Sequence, residues 1–239
     1  MKVTNGTPNT SRTIYWDNEV LDAIVFDFDG TLVTLEIDFA LMRQRVAEVV
    51  ERYGICWDSL TERFTWERIC EARSQLQMQE PHLAMRMAVE AEGIVCAIET
   101  EAAKHARLAP GAVELLRWLK DVGVKVAVVT RNCNAAVETV LAREPQCREH
   151  IDVIVPRDGL MQLKPHPRHL QIALERLDVA PSKVLCVGDS TLDIEVALKL
   201  GCRAVGVAHD EQRKVELLKA GAHAVIRQLD ELMSLLTER

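Results

Sequence analysis

An α/β fold is predicted, with a Rossmann-like parallel sheet as its core and a small all-helical insert placed after the first strand. Short runs rich in Val and Ile recur along the chain, and stretches of helical periodicity separate them. Residues 35–107 break this alternation and carry only helical signals. The expected organisation is a core of 13–34 plus 108–239, a helical unit at 35–107, and a frayed polar leader at 1–12.

The first strand is Ala23-Ile24-Val25-Phe26. In the insert, Asp38 can cap a helix that places Met42, Val46, Val49, Val50 and Tyr53 on one face and stops at Gly54. Ser59-Leu60-Thr61-Glu62 has the form of a capping box ahead of a second helix. A third begins near Pro81 and is expected to falter at Gly93. Beyond Leu108 the elements alternate. Pro110-Gly111 opens a helix with Val113, Leu116 and Leu119 that ends near Gly123, and the strand Val124–Val129 follows. Asn134 is expected to cap a helix running through Leu141 and broken by Pro145. Next come a strand at Ile151–Val155 and a helix with Leu170, Ala173, Leu174 and Leu177 inward. The strand Val184–Val187, the helix Thr191–Leu200 and the strand Ala204–Val207 continue the pattern. A helix over Glu211–Ala220, a strand at Ala224–Ile226 and a helix carrying Leu229, Leu232, Met233 and Leu236 complete it. Repeated βα units with short links imply right-handed crossovers and a sheet covered on both faces.

The formal net charge of −7, with no Lys/Arg run, argues against nucleic acid as partner. No apolar stretch approaches the ~18–20 residues of a membrane span. Residues 1–12 lack the apolar centre of a signal peptide, and the seven cysteines form no C-x-x-C pair. They read as reduced thiols in a cytoplasmic protein, monomeric or homodimeric, with Cys133 a bystander near Thr130.

The chemistry gathers where strands stop. Asp27-Phe28-Asp29-Gly30-Thr31 follows the first strand, Thr130 the second, and Gly188-Asp189 with Asp193 the fourth, while Lys164-Pro165 comes just after the third. In a parallel sheet these ends share one rim, where ligand sites form. Asp27 and Asp29, two apart, face the same side, so one carboxylate can attack phosphorus while the other moves protons. Asp27, Asp189 and Asp193 offer hard oxygens to Mg²⁺. Asp193, in the first turn of a helix, also suits a charge facing the macrodipole. Lys164 can neutralise both a phosphoryl oxygen and the attacking carboxylate. Arg131 and Asn132 follow Thr130 and are candidates for touching phosphate or substrate, as are the arginines Arg43 and Arg45 of the insert. His166 and His169 read as surface or capping residues.

These motifs resemble the four motifs of the haloacid dehalogenase-like (HAD) hydrolase superfamily, over about Asp22 to Ala222. The resemblance is to its phosphoglycolate phosphatase/β-phosphoglucomutase-like branch, whose insert after the first motif is a helical cap. It implies a Mg²⁺-dependent phosphatase of small phosphorylated metabolites. Asp27 would form an aspartyl-phosphate. Asp29 would be the general acid/base and a metal ligand through its backbone carbonyl. Thr130 would bind a phosphoryl oxygen, Lys164 would neutralise charge, and Asp189 and Asp193 would anchor the metal. A phosphosugar mutase or a nucleotidase would share these residues. A dehalogenase would not need a carboxyl at Asp29. A phosphonoacetaldehyde hydrolase needs a cap lysine, and the only one, Lys104, lies at the far end of the insert. Thr34-Leu35-Glu36 departs from the family's common D-G-T-L-x-D-[ST] form.

Overall fold

In the computed structural model, which describes residues 13–238, the chain opens on a hairpin, β1 (Ile14–Trp16) and β2 (Glu19–Leu21). The expected leader at 1–12 lies outside the described residues. The hairpin turns through Asp17 and Asn18, both at positive φ (48° and 64°), which is the geometry a two-residue turn needs.

β3 (Ala23–Phe26) follows, then β4 (Val33–Thr34), α1 (Phe39–Arg52), α2 (Thr65–Gln77), α3 (Pro81–Ala103) and β5 (Arg107–Leu108). β4 and β5 pair antiparallel, so the chain enters and leaves the helical insert side by side. Asp38 caps α1 by accepting the Leu41 N–H at 2.8 Å. Met42, Val46, Val49, Ala72, Met87 and Ala91 bury against one another, giving the three helices a hydrophobic cluster of their own. Two expectations fail here. Ser59–Glu62 does not form a capping box: α2 starts at Thr65, and Glu71 instead reaches back to accept the Thr61 and Glu62 N–H groups at 2.9 and 3.1 Å. Nor does α3 falter at Gly93, because that residue is exposed while the buried stripe Ala84, Met87, Ala91 and Val95 holds the helix continuous.

The remaining elements alternate: α4 (Ala112–Asp121), β6 (Lys125–Val129), α5 (Asn134–Leu141), α6 (Pro145–Arg148), β7 (Val153–Val155), α7 (Pro167–Leu177) and β8 (Val184–Gly188). Then come α8 (Thr191–Leu200), β9 (Arg203–Val207), α9 (Glu211–Lys219), β10 (Ala224–Ile226), α10 (Asp230–Leu235) and β11 (Thr237–Glu238), which pairs with β1. Six strands form one sheet in the order β10-β9-β8-β3-β6-β7, and every pairing in it is parallel. β3 is central and buried on both faces. Ile24 and Phe26 pack into the cluster that contains α4 and α5, while Ala23 and Val25 pack into the one that contains α7 and α8. Each fully buried large apolar side chain contributes ~1.5–3 kcal/mol, which holds β3 and the loop after it in place.

Asn134 is the first residue of α5 and not its cap. Cys133 takes the cap position, and the N-terminal amides go to Glu99 (from Cys133, 2.8 Å) and Asp158 (from Asn134, 2.6 Å). The expectation of seven reduced, unpaired thiols also needs correction. Cys96 on α3 and Cys133 are joined as a disulfide, their Cα atoms 5.6 Å apart. The packing of α3 on α5 brings them together, and their separation of 37 residues hides this in the sequence.

Candidate active site

The strand ends do converge. Asp27, Asp29, Thr130, Arg131, Asn132, Lys164 and Asp189 line one cavity of about 460 Å³ between the sheet rim and the insert. Phe28, between the two aspartates, is buried in the core instead. After Phe28 the chain doubles back, with Leu32 and Val33 both donating to the Phe28 carbonyl at 3.0 Å. Gly30 makes this turn at φ +82°, and a Cβ there would overlap the Asp189 carboxylate. The absent side chain is thus what lets Asp189 approach the Asp27–Asp29 loop.

Lys164 is the hub. Only 4% exposed, its Nζ donates to Asp27 Oδ1 at 2.6 Å, to the Val129 carbonyl at 2.8 Å and to Asp193 Oδ1 at 2.5 Å. Burial would lower its pKa, yet Asp193 and Asp27 hold it above the usual lysine range, so it stays charged. Asp193 serves two purposes. Its other oxygen, Oδ2, accepts the Ser190 N–H and hydroxyl at 3.1 and 2.6 Å and so closes the capping box of α8. Asp27 Oδ2 and the whole Asp189 carboxylate accept no hydrogen bond among the described residues.

Carboxylate oxygens of Asp27, Asp189 and Asp193 lie within 4.8 Å of one another. Burial, together with the neighbouring Asp193 and Asp189, pushes Asp27 up to about 7 against the opposing pull of Lys164. Burial and Asp193 push Asp189 up to about 6. One lysine does not satisfy three acids, and an all-oxygen set with charge to spare fits Mg²⁺. Asp29 stands slightly apart. Its Oδ1 accepts the Leu35 N–H at 2.8 Å, and burial, with Asp27 and Glu99 adding to it, raises it to about 7.

Thr130 is buried, and its hydroxyl donates to Asn132 Oδ1 at 2.8 Å while accepting the Asn132 N–H at 3.1 Å. Arg131 joins core to insert: it donates to the Lys164 carbonyl at 2.6 Å, pairs with Glu67 at 2.8 Å, and lies 5.1 Å from the Phe64 ring centre. Arg43 lines the cavity, whereas Arg45 lies in a separate surface groove beside Glu48 and Glu51. His166 caps α7 as expected, its Nδ1 accepting the Arg168 N–H at 3.2 Å. His169 is not a surface residue. It is fully buried and accepts the Lys164 N–H at 3.2 Å, and burial with the Lys164 charge lowers it to about 3.

Sequence reasoning missed a second buried pair. Arg157, 2% exposed, donates to Glu99 of α3 at 2.7 and 3.0 Å and to the Arg131 carbonyl at 2.6 Å, and its guanidinium lies over Trp66. A glutamate at the end of the apolar run Ile94 to Ile98, one turn after the inward-facing Val95, was the available signal. Arg63 and Phe64, also in the lining, carried none.

These ionisations set the sign of a stability measurement. Acids raised to about 6–7 contribute stability that is full below their unfolded value near 3.8 and lost as pH rises through the folded values. His169 acts the other way, its contribution complete above about 6.5 and lost as pH falls toward 3. Between pH 5.5 and 7.5 three acids outweigh one histidine. The melting midpoint of metal-free protein should therefore fall as pH rises across that window, and a rising midpoint would contradict these assignments.

The model of the family described as haloacid dehalogenase-like hydrolase matches residues 24–207. A phosphoglycolate phosphatase of Nitrosococcus oceani is 28% identical over 223 residues, covering 91% of this chain and 97% of its own. The phosphoglycolate phosphatase of Escherichia coli is 28% identical over 209 residues, covering 80% of this chain and 82% of its own. Among solved structures, CbbY from Rhodobacter sphaeroides in complex with phosphate superposes with a TM-score of 0.59 at 24% identity, covering 89% of this chain and 96% of that one. That likeness is one of fold.

Proposed function

The chain belongs to the haloacid dehalogenase-like hydrolases, and from that premise we propose that it is a Mg²⁺-dependent phosphatase of small phosphorylated metabolites. The reaction runs through an aspartyl-phosphate at Asp27, with residues 35–107 acting as a cap over the core. The observation that carries this reading is the arrangement around Lys164: one oxygen of Asp27 is pinned to the buried ammonium while the other is free to attack.

Asp27, Asp189 and Asp193, with the backbone carbonyl of Asp29, are the residues to hold Mg²⁺, which when bound supplies positive charge beside the phosphoryl group. Asp27 attacks phosphorus and the bond to the leaving oxygen breaks. Raised to about 7, Asp29 is part protonated at neutral pH and gives its proton to that oxygen. The ionised Asp29 then takes a proton from water, whose oxygen attacks phosphorus and frees Asp27. Lys164 offsets charge on the phosphoryl oxygens in both steps, and Thr130 and Asn132 present polar atoms to them. The cap excludes bulk water, and the Arg131–Glu67 and Arg157–Glu99 pairs join it to the core.

Phosphate release from an aryl phosphate such as p-nitrophenyl phosphate should stop in EDTA and return with Mg²⁺. Undiminished turnover in EDTA would contradict the metal assignment. Phosphoglycolate is the first natural ester to assay, since relatives are described as acting on it.

A further inference from the structure

The cavity above Asp27 is larger and more apolar than a two-carbon leaving group needs, and its cations are unevenly matched. At about 460 Å³ it falls in the range of sites for drug-sized ligands. Five cationic side chains line it, and three are already compensated: Lys164 by Asp27 and Asp193, Arg131 by Glu67, and Arg157 by Glu99. Arg43 and Arg63 have no ion-pair partner among the described residues, although the chain carries an excess of acids. Both come from the cap. Solvated arginines are commonplace, but these two open onto the same cavity, and each stands beside an aromatic ring. Phe39 lies one turn before Arg43 on the same face of α1 and is 59% exposed, while Arg63 sits 5.1 Å from the Phe64 ring centre. Met42 and Trp66 extend the apolar lining.

We propose that the leaving group of the substrate is an amphiphile, with an apolar body larger than two carbons that lies against Phe39, Met42 and Trp66. It ends in a second anion, a carboxylate or phosphate, received by Arg43 and Arg63. This rests on the phosphatase reading and specifies its substrate class. The transferred phosphoryl group goes to Asp27 and Lys164. The distal anion is held by guanidinium groups that no carboxylate among the described residues neutralises, and a fork of N–H donors suits either oxyanion.

The test compares kcat/KM for phenyl phosphate, 4-carboxyphenyl phosphate, 1,4-phenylene bisphosphate and phosphoglycolate, with Mg²⁺, in wild type and in Arg43→Met and Arg63→Met. The expected result is a preference of about tenfold or more for the para-anionic aryl esters over both phenyl phosphate and phosphoglycolate, as for a charge-assisted contact. Each substitution should cut kcat/KM for the anionic aryl esters at least about tenfold more than for phenyl phosphate, mainly through KM. Which aryl ester leads tells a carboxylate from a phosphate. Phosphoglycolate outperforming every aryl ester, or variants that lose equally on all substrates, would overturn the subsite while leaving the phosphatase reading intact. No phosphate release from any ester would overturn both. Circular dichroism of both variants establishes that they fold, which their exposed positions on the cap favour.

Discussion

Asp27→Asn removes phosphate release almost entirely, by about 10⁴-fold or more, as expected when a covalent nucleophile is lost. The amide matches the carboxylate in shape but does not attack phosphorus. The fold should survive, since the substitution removes one of three crowded acids, and burial already opposes the ionisation of Asp27. In metal-free buffer above pH 7 the variant should melt at or above the wild-type temperature. The check is phosphate release and thermal melting on the same preparation. A variant that keeps a tenth of the wild-type rate would remove Asp27 from the nucleophile's role.

Lys164→Met strikes activity and stability together. It deletes the buried cation shared by Asp27 and Asp193 and the donor to the Val129 carbonyl. Breaking a buried pair by removing one partner costs ~3–5 kcal/mol. Losing an electrostatic donor to the transferring group costs about 10²–10³ in rate. Adding Asp27→Asn to Lys164→Met should recover part of the stability, because one of the stranded charges goes with it. Urea denaturation of the two single variants and the double variant measures this coupling. A double variant less stable than Lys164→Met alone would mean that the lysine's role is packing and not charge.

The βα rhythm and the four strand-end motifs were legible because both are local. A strand's apolar run and the aspartate that ends it are adjacent in sequence, and a parallel sheet puts such ends on one rim. What escaped depends on packing between distant segments. Glu99 and Arg157 are 58 residues apart and meet only when α3 lies on α5, as do Cys96 and Cys133. Ser59–Glu62 has the letters of a capping box, yet α2 starts later, at Thr65, and Glu71 from within that helix takes the Thr61 and Glu62 amides. The β1–β2 hairpin was missed, so Ala23–Phe26 is the third strand and not the first, although Asp17-Asn18 between Ile14-Tyr15-Trp16 and Glu19-Val20-Leu21 carries the signal of a two-residue turn flanked by strand formers. His169 looked like a surface histidine because nothing near it in sequence says that its ring must accept the Lys164 amide.

The central claim is that phosphorus passes through Asp27. A single turnover with excess enzyme, quenched in acid, reduced with borohydride and mapped by mass spectrometry, tests it most directly, since borohydride converts an aspartyl-phosphate to homoserine. The account predicts homoserine at position 27 in protein given Mg²⁺ and substrate, and none when either is left out or in Asp27→Asn. Phosphate release with no modified residue, or with the mark on another side chain, would contradict it.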